Sequence, residues 1–108
     1  MTRSRIKALE TLAGLIRDHD MARLQRLASA RDATRDRVAQ LSAPVALCDD
    51  PALFAARQAH LAWAAAQRMQ LNVALARQTA DLLDQRRKAL RSFGRAQALA
   101  RLQARQGR

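Results

Sequence analysis

The chain has 108 residues, the length of a single domain, and a formal net charge of +11. Hydrophobic residues make up 49% of it and aromatic residues 3%, so the apolar content is mostly Ala and Leu, which favour helices. The low glycine and proline content excludes an all-β chain with many tight turns, and no apolar run is long enough to span a membrane.

Apolar spacing predicts a first helix over residues 5–41. Its apolar side chains recur at steps of three and four, which places them on one helical stripe. The predicted stripe consists of Leu9, Leu12, Ala13, Ile16, Leu24, Leu27, Thr34, Val38 and Leu41. Polar residues such as Asp20 and Arg31 interrupt it, so we expect an imperfect seam.

A turn is predicted over residues 42–50. Pro44 disfavours helical geometry at the residue before it and therefore ends the first helix. Asp50 followed by Pro51 is typical of a helix start, because the carboxylate accepts unpaired amide protons and proline lacks the proton that would be unpaired. A short turn makes the two helices antiparallel neighbours.

A second helix is predicted over residues 51–106, with a coiled-coil seam that polar residues weaken. The seam residues repeat every seven positions at Phe54, Leu61, Arg68, Leu75, Leu82, Ala89 and Ala96, with Ala64 and Leu71 between them. Folding back at the middle of the turn would pair Ile6 with about Arg87, so the last twenty residues would project. The predicted fold is an all-α, two-helix antiparallel coiled-coil hairpin with a longer, overhanging second helix, in one domain.

The excess positive charge is confined to the two ends of the chain. Residues 1–8 carry +3 and residues 85–108 carry +8, whereas residues 9–84 contain nine Arg and nine Asp or Glu. Because a hairpin brings both ends together, we expect one concentrated positive tip. Such a charge distribution indicates which kind of partner the protein binds, and it does not indicate the fold.

The sequence argues against catalysis and against metal binding. Cys48 is the only plausible nucleophile, and the two candidate bases, His19 and His60, are too far along their helices to share a site with it. Two distant histidines and one cysteine have no ligand spacing either. We therefore expect no enzymatic activity, no catalytic residue, no metal and no cofactor.

Trp63 is a candidate contact residue. Helical geometry turns it away from the seam at Leu61 and Ala64, onto a face lined by alanines. Exposed aromatic residues of this kind often dominate interfaces. Two alternatives remain equal. Trp63 makes a side contact to a second partner, or it packs against a second copy of the chain or simply lies flat on its own helix.

The segments KALETLAGLIRDHDMARLQRLASA and LLDQRRKALRSFGRAQALARL, with the single Trp early in the second helix, resemble the flagellar export stalk family (FliJ type) and its type III secretion counterparts. The closing match is a run of Ala-Leu-x-Ser-aromatic followed by basic residues, at residues 89–95. The resemblance covers nearly the whole chain, although the chain is shorter than typical members.

The resemblance implies a non-enzymatic stalk of an export ATPase hexamer, cytoplasmic or peripheral at the inner-membrane export apparatus. Its basic end would enter the ATPase ring, and another part would contact the export gate or chaperones. The residues expected at the ring are Arg3, Arg5, Arg86, Arg87, Arg91, Phe93 and Arg95, with Trp63 as the side contact. A nucleic-acid-binding coiled coil and a self-associating helical bundle remain alternatives, because an Arg-rich tip also suits phosphate and a thin hairpin leaves much apolar surface exposed.

Overall fold

Two helices make up nearly all of the structure. The computed structural model describes residues 2–43 and 50–106. In this part of the chain, α1 runs from Arg3–Leu41 and α2 from Pro51–Gln106, and there is no strand. The prediction of an all-α two-helix hairpin is therefore confirmed.

Local hydrogen bonds explain where the helices begin and end. The Asp50 carboxylate accepts the Ala52 amide at 3.0 Å, which is the predicted cap at the start of α2. At the end of α1, the Ser42 amide donates to the carbonyl of Val38 at 3.1 Å and the Ser42 hydroxyl donates to the same oxygen at 2.9 Å. The predicted turn extends through Pro44 and Cys48, which lie outside the described residues.

The hairpin consists of two compact units, each containing a stretch of both helices. We call Met1–Ala28 with Ala80–Arg108 the terminal unit, and Ser29–Thr79 the central unit. In the terminal unit the two stretches have nearly equal lengths. In the central unit the stretch of α2 is much longer than that of α1.

The core of the terminal unit is narrow and built from small residues. Ile6 is 2% exposed, and it is joined in the core by Leu82, Ala89 and Ala96 of α2. The last three are predicted seam residues, so this part of the seam is confirmed. Alanine contributes little apolar area, so the burial of these residues alone stabilises the unit only modestly.

A group of polar contacts interrupts this apolar seam. The Gln85 side-chain amide donates to the Asp20 main-chain carbonyl at 2.9 Å, and the Ser92 hydroxyl donates to the Asp20 carboxylate. Gln85 and Ser92 are as buried as the apolar core, at 3% and 4% exposed. We call Asp20, Gln85 and Ser92 the polar layer. A buried polar group costs free energy unless it is paired, so the layer favours the one alignment of the helices that pairs all three.

The stripe predicted for α1 is partly wrong. Leu9, Leu12 and Ile16 are 41%, 53% and 44% exposed. The partly or fully buried positions of α1 recur mainly at steps of three and four. This repeat also includes Ile6 and Asp20, and it keeps the predicted Ala13, Leu24, Leu27, Thr34, Val38 and Leu41. Asp20 and Thr34 can occupy this repeat because each has a hydrogen-bond partner.

The predicted overhang at the C-terminal end is wrong. The Arg3 guanidinium donates to the Gln106 carbonyl, at 3.0 Å from Nε, so Ile6 cannot lie beside Arg87. Ile6 instead shares a cleft with Gln103 and Gln106. The alignment differs because the polar layer pairs residue 20 with residues 85 and 92, whereas the prediction assumed a symmetrical turn.

In the central unit, the extra length of α2 lies at its beginning. Leu41 of α1 lines a cleft with His60, Leu61 and Ala64 of α2. Ala64 is 3% exposed, as predicted for a seam residue, but Phe54 is 53% exposed and Leu61 37%. The predicted seam at Phe54 is wrong, because α1 has already ended before reaching that level of α2.

We expect Asp20→Ala to destabilise the protein by about 1–3 kcal/mol, because it leaves the Ser92 hydroxyl buried without its acceptor. The matched control is Asp18→Ala, which removes an exposed carboxylate two residues earlier on the same helix. This change should alter stability by no more than about 0.5 kcal/mol. Urea unfolding followed by circular dichroism measures both. Equal stabilities of the two variants would show that the hydrogen bond between Asp20 and Ser92 contributes nothing.

Candidate functional site at the terminal unit and Trp63

Both ends of the described chain meet in the terminal unit. Arg3 reaches across to the last carbonyl of α2, and the carbonyls at a helix C-terminus carry partial negative charge that a guanidinium stabilises. Ser4 and Lys7 line a cleft of about 280 Å³ with Gln103 at the same place. The hydrogen bond therefore brings the N-terminal positive charges beside those at the C-terminal end of α2.

We call the cationic residues within two helical turns of these ends the terminal cluster. It consists of Arg3, Arg5, Lys7, Arg101 and Arg105. All five residues are exposed, and no ion pair to any of them occurs among residues 2–43 and 50–106. The first turn of α1 also lacks an acidic residue. Within the described part of the chain, the five positive charges at this end have no ion-pair partner, so the end is suited to a negatively charged partner.

Three of the predicted contact residues lie away from the terminal cluster. Arg86, Arg87 and Arg91 precede Gln106 by 15 to 20 positions, which is roughly 22–30 Å along a helix. Arg87 is 3.7 Å from Asp84 in an exposed ion pair of the kind that adds little stability. The predicted grouping of these three with Arg3 and Arg5 is wrong because it depended on the overhanging alignment.

Phe93 and Arg95 also lie along α2 rather than at its end. Phe93 is 47% exposed, beside the buried Ser92. Arg95 lines a groove of about 400 Å³ with Leu9, Leu12 and other residues of both helices. The structure thus brings Arg3 and Arg5 together, and separates them from Phe93 and Arg95.

Trp63 lies in the central unit with about half of its surface exposed. It is 53% exposed, and its ring is 5.7 Å from that of His60 at an angle of 33°. The two residues line a cleft of about 370 Å³ that also contains Arg37 and Leu41 of α1. An aromatic side chain beside a histidine and an arginine offers a partner both apolar area and hydrogen-bond donors.

Sequence reasoning missed Arg101 and Arg105 as members of the cluster. Both were counted in the positive C-terminal segment, but the predicted overhang placed them beyond α1. The signal that could have found them is the polar pairing of Asp20, since it shifts the alignment of the helices. Burial gives no such signal, because both residues are exposed.

The two histidines lie in different units, His19 in the terminal and His60 in the central unit. Across residues 2–43 and 50–106, no group of three His, Cys, Asp or Glu side chains is placed to hold a metal ion. Within the same residues, neither helix contains a segment long and apolar enough to cross a membrane. Cys48 lies outside the described residues.

Comparisons of this chain with models of protein families, with curated proteins and with solved structures found no match.

We expect Arg3→Ala to loosen the end of α2. Losing the hydrogen bonds to the Gln106 carbonyl should speed amide hydrogen exchange at residues 103–106 by about two- to five-fold, the effect of removing a bond worth 0.5–1 kcal/mol. Arg5→Ala is the control, because it removes the same charge from a side chain without a bond to α2. Equal exchange rates in the two variants would contradict a tether at Arg3.

Proposed function

We propose that this protein is a non-enzymatic stalk or adaptor of a flagellar or type III protein-export ATPase. The terminal cluster is the part that enters the ATPase ring. The observation that supports this most strongly is the Arg3–Gln106 contact, which brings five exposed cationic side chains together at the helix ends. The resemblance to export stalk proteins supplies the identity of the ring.

The chemistry of the cluster suits a pore lined by carboxylates. Arginine forms short, bidentate, charge-assisted hydrogen bonds with carboxylates and keeps its charge at any physiological pH. Arg101 and Arg105 are four residues apart and therefore lie on one face of α2, and Arg3 reaches the end of the same helix. A group of neighbouring arginines of this kind can contact several carboxylates of a ring at once.

A second contact on the central unit completes the proposal. Trp63 and His60 form a half-exposed aromatic pair, and aromatic anchors carry much of the binding energy in protein interfaces. This pair contacts the export gate or a substrate-escort chaperone. The protein then acts in the cytoplasm, with peripheral association at the export apparatus.

Nucleic acid is the competing partner for a cluster of arginines. Binding to phosphate would need no carboxylate-lined pore, and it would weaken steeply as salt increases. The aromatic side chains that commonly stack on bases are scarce here, since Phe93 is the single aromatic residue of the described terminal unit. We therefore favour a protein partner, and duplex DNA serves as an arm of the test.

The test is capture of the export ATPase from the same cell by the immobilised protein. We expect Arg5→Glu with Arg105→Glu to reduce capture by at least about ten-fold, because charge reversal places carboxylates against carboxylates. The control is Arg35→Glu with Arg77→Glu, which changes the net charge equally with exposed residues of the central unit. Control capture should equal that of the unmodified protein.

Two outcomes would contradict the proposal. One is equal capture by the two double variants, which would remove the terminal cluster from the interface. The other is absence of ATPase capture together with salt-sensitive binding of random duplex DNA that the Arg5→Glu, Arg105→Glu variant loses. That second result would assign the cluster to nucleic acid.

A further inference from the structure

Two clefts between the helices of the terminal unit differ in character. One is lined by Leu9, Leu12, Ala13 and Ile16 of α1 and by Ser92, Arg95, Ala98 and Leu99 of α2, and we call it the apolar groove. The other is lined by several charged residues, among them Glu10, Arg17 and Asp18. Among the described residues lining the apolar groove, Arg95 is the only charged one.

The α1 wall of the apolar groove consists of bulky residues that lie beside the seam. Ile6, Ala13 and Asp20 are buried or half-buried, whereas Leu9, Leu12 and Ile16 are exposed and form a second stripe. These three side chains are 41–53% exposed. Contiguous exposed apolar side chains on a small protein typically mark a contact surface.

The α1 wall of the groove is about two helical turns long. Leu9 and Ile16 are seven residues apart, about 10 Å along α1, so a helix lying alongside would contact this wall over two of its own turns. Its apolar side chains at intervals of three and four would fill the spaces between Leu9, Leu12 and Ile16. This is the recurrent mode in which an amphipathic helix binds a hydrophobic groove.

Charge decides which helix fits. The sequence of the terminal unit contains fourteen Arg or Lys and five Asp or Glu. Arg95 lies in the groove wall. A second copy of this chain would bring like charges together at the groove, which costs free energy, whereas an acidic helix would gain from Arg95 and from the excess positive charge of the unit.

We propose that the apolar groove binds an amphipathic helix of another protein that carries leucine-like residues on one face and acidic residues at its margins. This site is separate from the terminal cluster, and its occupant need not be an ATPase. It therefore goes beyond the function proposed above, and an assay with an isolated peptide tests it without that function.

The probe is a fluorescently labelled helical peptide of about four turns, with Leu on one face and Glu elsewhere. The peptide is stapled so that it is helical before it binds, because short peptides are only marginally helical in water. Fluorescence anisotropy with the full chain should give a dissociation constant on the order of tens of micromolar. The same peptide with Lys in place of Glu, and the peptide with Ala in place of Leu, should bind at least about ten-fold more weakly.

Variants of the chain locate the binding site. Leu12→Glu should weaken binding by at least about ten-fold, and Leu12→Ala, which adds no charge, should weaken it in the same direction. The matched control is Leu90→Glu, because Leu90 is 65% exposed in the same unit and does not line the groove. Arg95→Glu should weaken binding, whereas Arg101→Glu, outside the groove, should have a smaller effect.

Several results would overturn the proposal. These are no binding of the Leu and Glu peptide, equal binding of the Leu and Lys peptide, and equal losses for Leu12→Glu and Leu90→Glu. Self-association in sedimentation that Leu12→Glu abolishes would assign the groove to a second copy instead. Binding to phosphatidylglycerol vesicles that the same variant abolishes would assign it to a lipid surface.

Discussion

The pairing of Asp20 with Gln85 and Ser92 is the constraint that determines how the two helices align. Ala89 and Ala96 offer little discrimination, because they are seven residues apart and a slide of one heptad can place one alanine where the other was. A slide would instead leave the buried polar groups of the layer without partners. Polar residues in a coiled-coil seam commonly specify alignment in this way, at a cost in stability.

The alignment has two consequences for function. It places Arg3 at the end of α2, so the cationic residues of the two helix ends form one cluster. In the predicted alignment, the end of α2 would instead have projected beyond α1. It also turns Leu9, Leu12 and Ile16 out of the seam and leaves them as one wall of the apolar groove. The charge at the end and the apolar surface at the side thus have the same origin.

The sequence predicted those features that depend on neighbouring residues. The start of α2 followed from Asp50 and Pro51, since capping acts within one turn, and the burial of Leu82 and Ala89 followed from the heptad spacing. The α1 seam was harder to predict, because hydrophobicity alone makes Leu12 a better candidate for a seam position than Asp20. The alignment depends on a hydrogen bond between residues 72 positions apart, which no local pattern contains.

This limit also affected the candidate site. Arg3 and Arg5 were placed correctly at the end where the termini meet, whereas Arg87 and Arg91 were assigned to that end through the wrong alignment. Exposed arginines leave no periodic signal that relates them to the opposite helix. Their grouping can be read only once the pairing of the helices is known.

The distance between spin labels at Arg5→Cys and Arg105→Cys, in a Cys48→Ser background, tests the alignment most directly. We predict a single narrow distance below about 25 Å, since packed helix axes are 8–10 Å apart, and a broader distribution when Asp20→Ala is added. An alignment of Ile6 with Arg87 would lengthen the distance by roughly 25 Å. That longer distance, or a distribution unchanged by Asp20→Ala, would contradict the account.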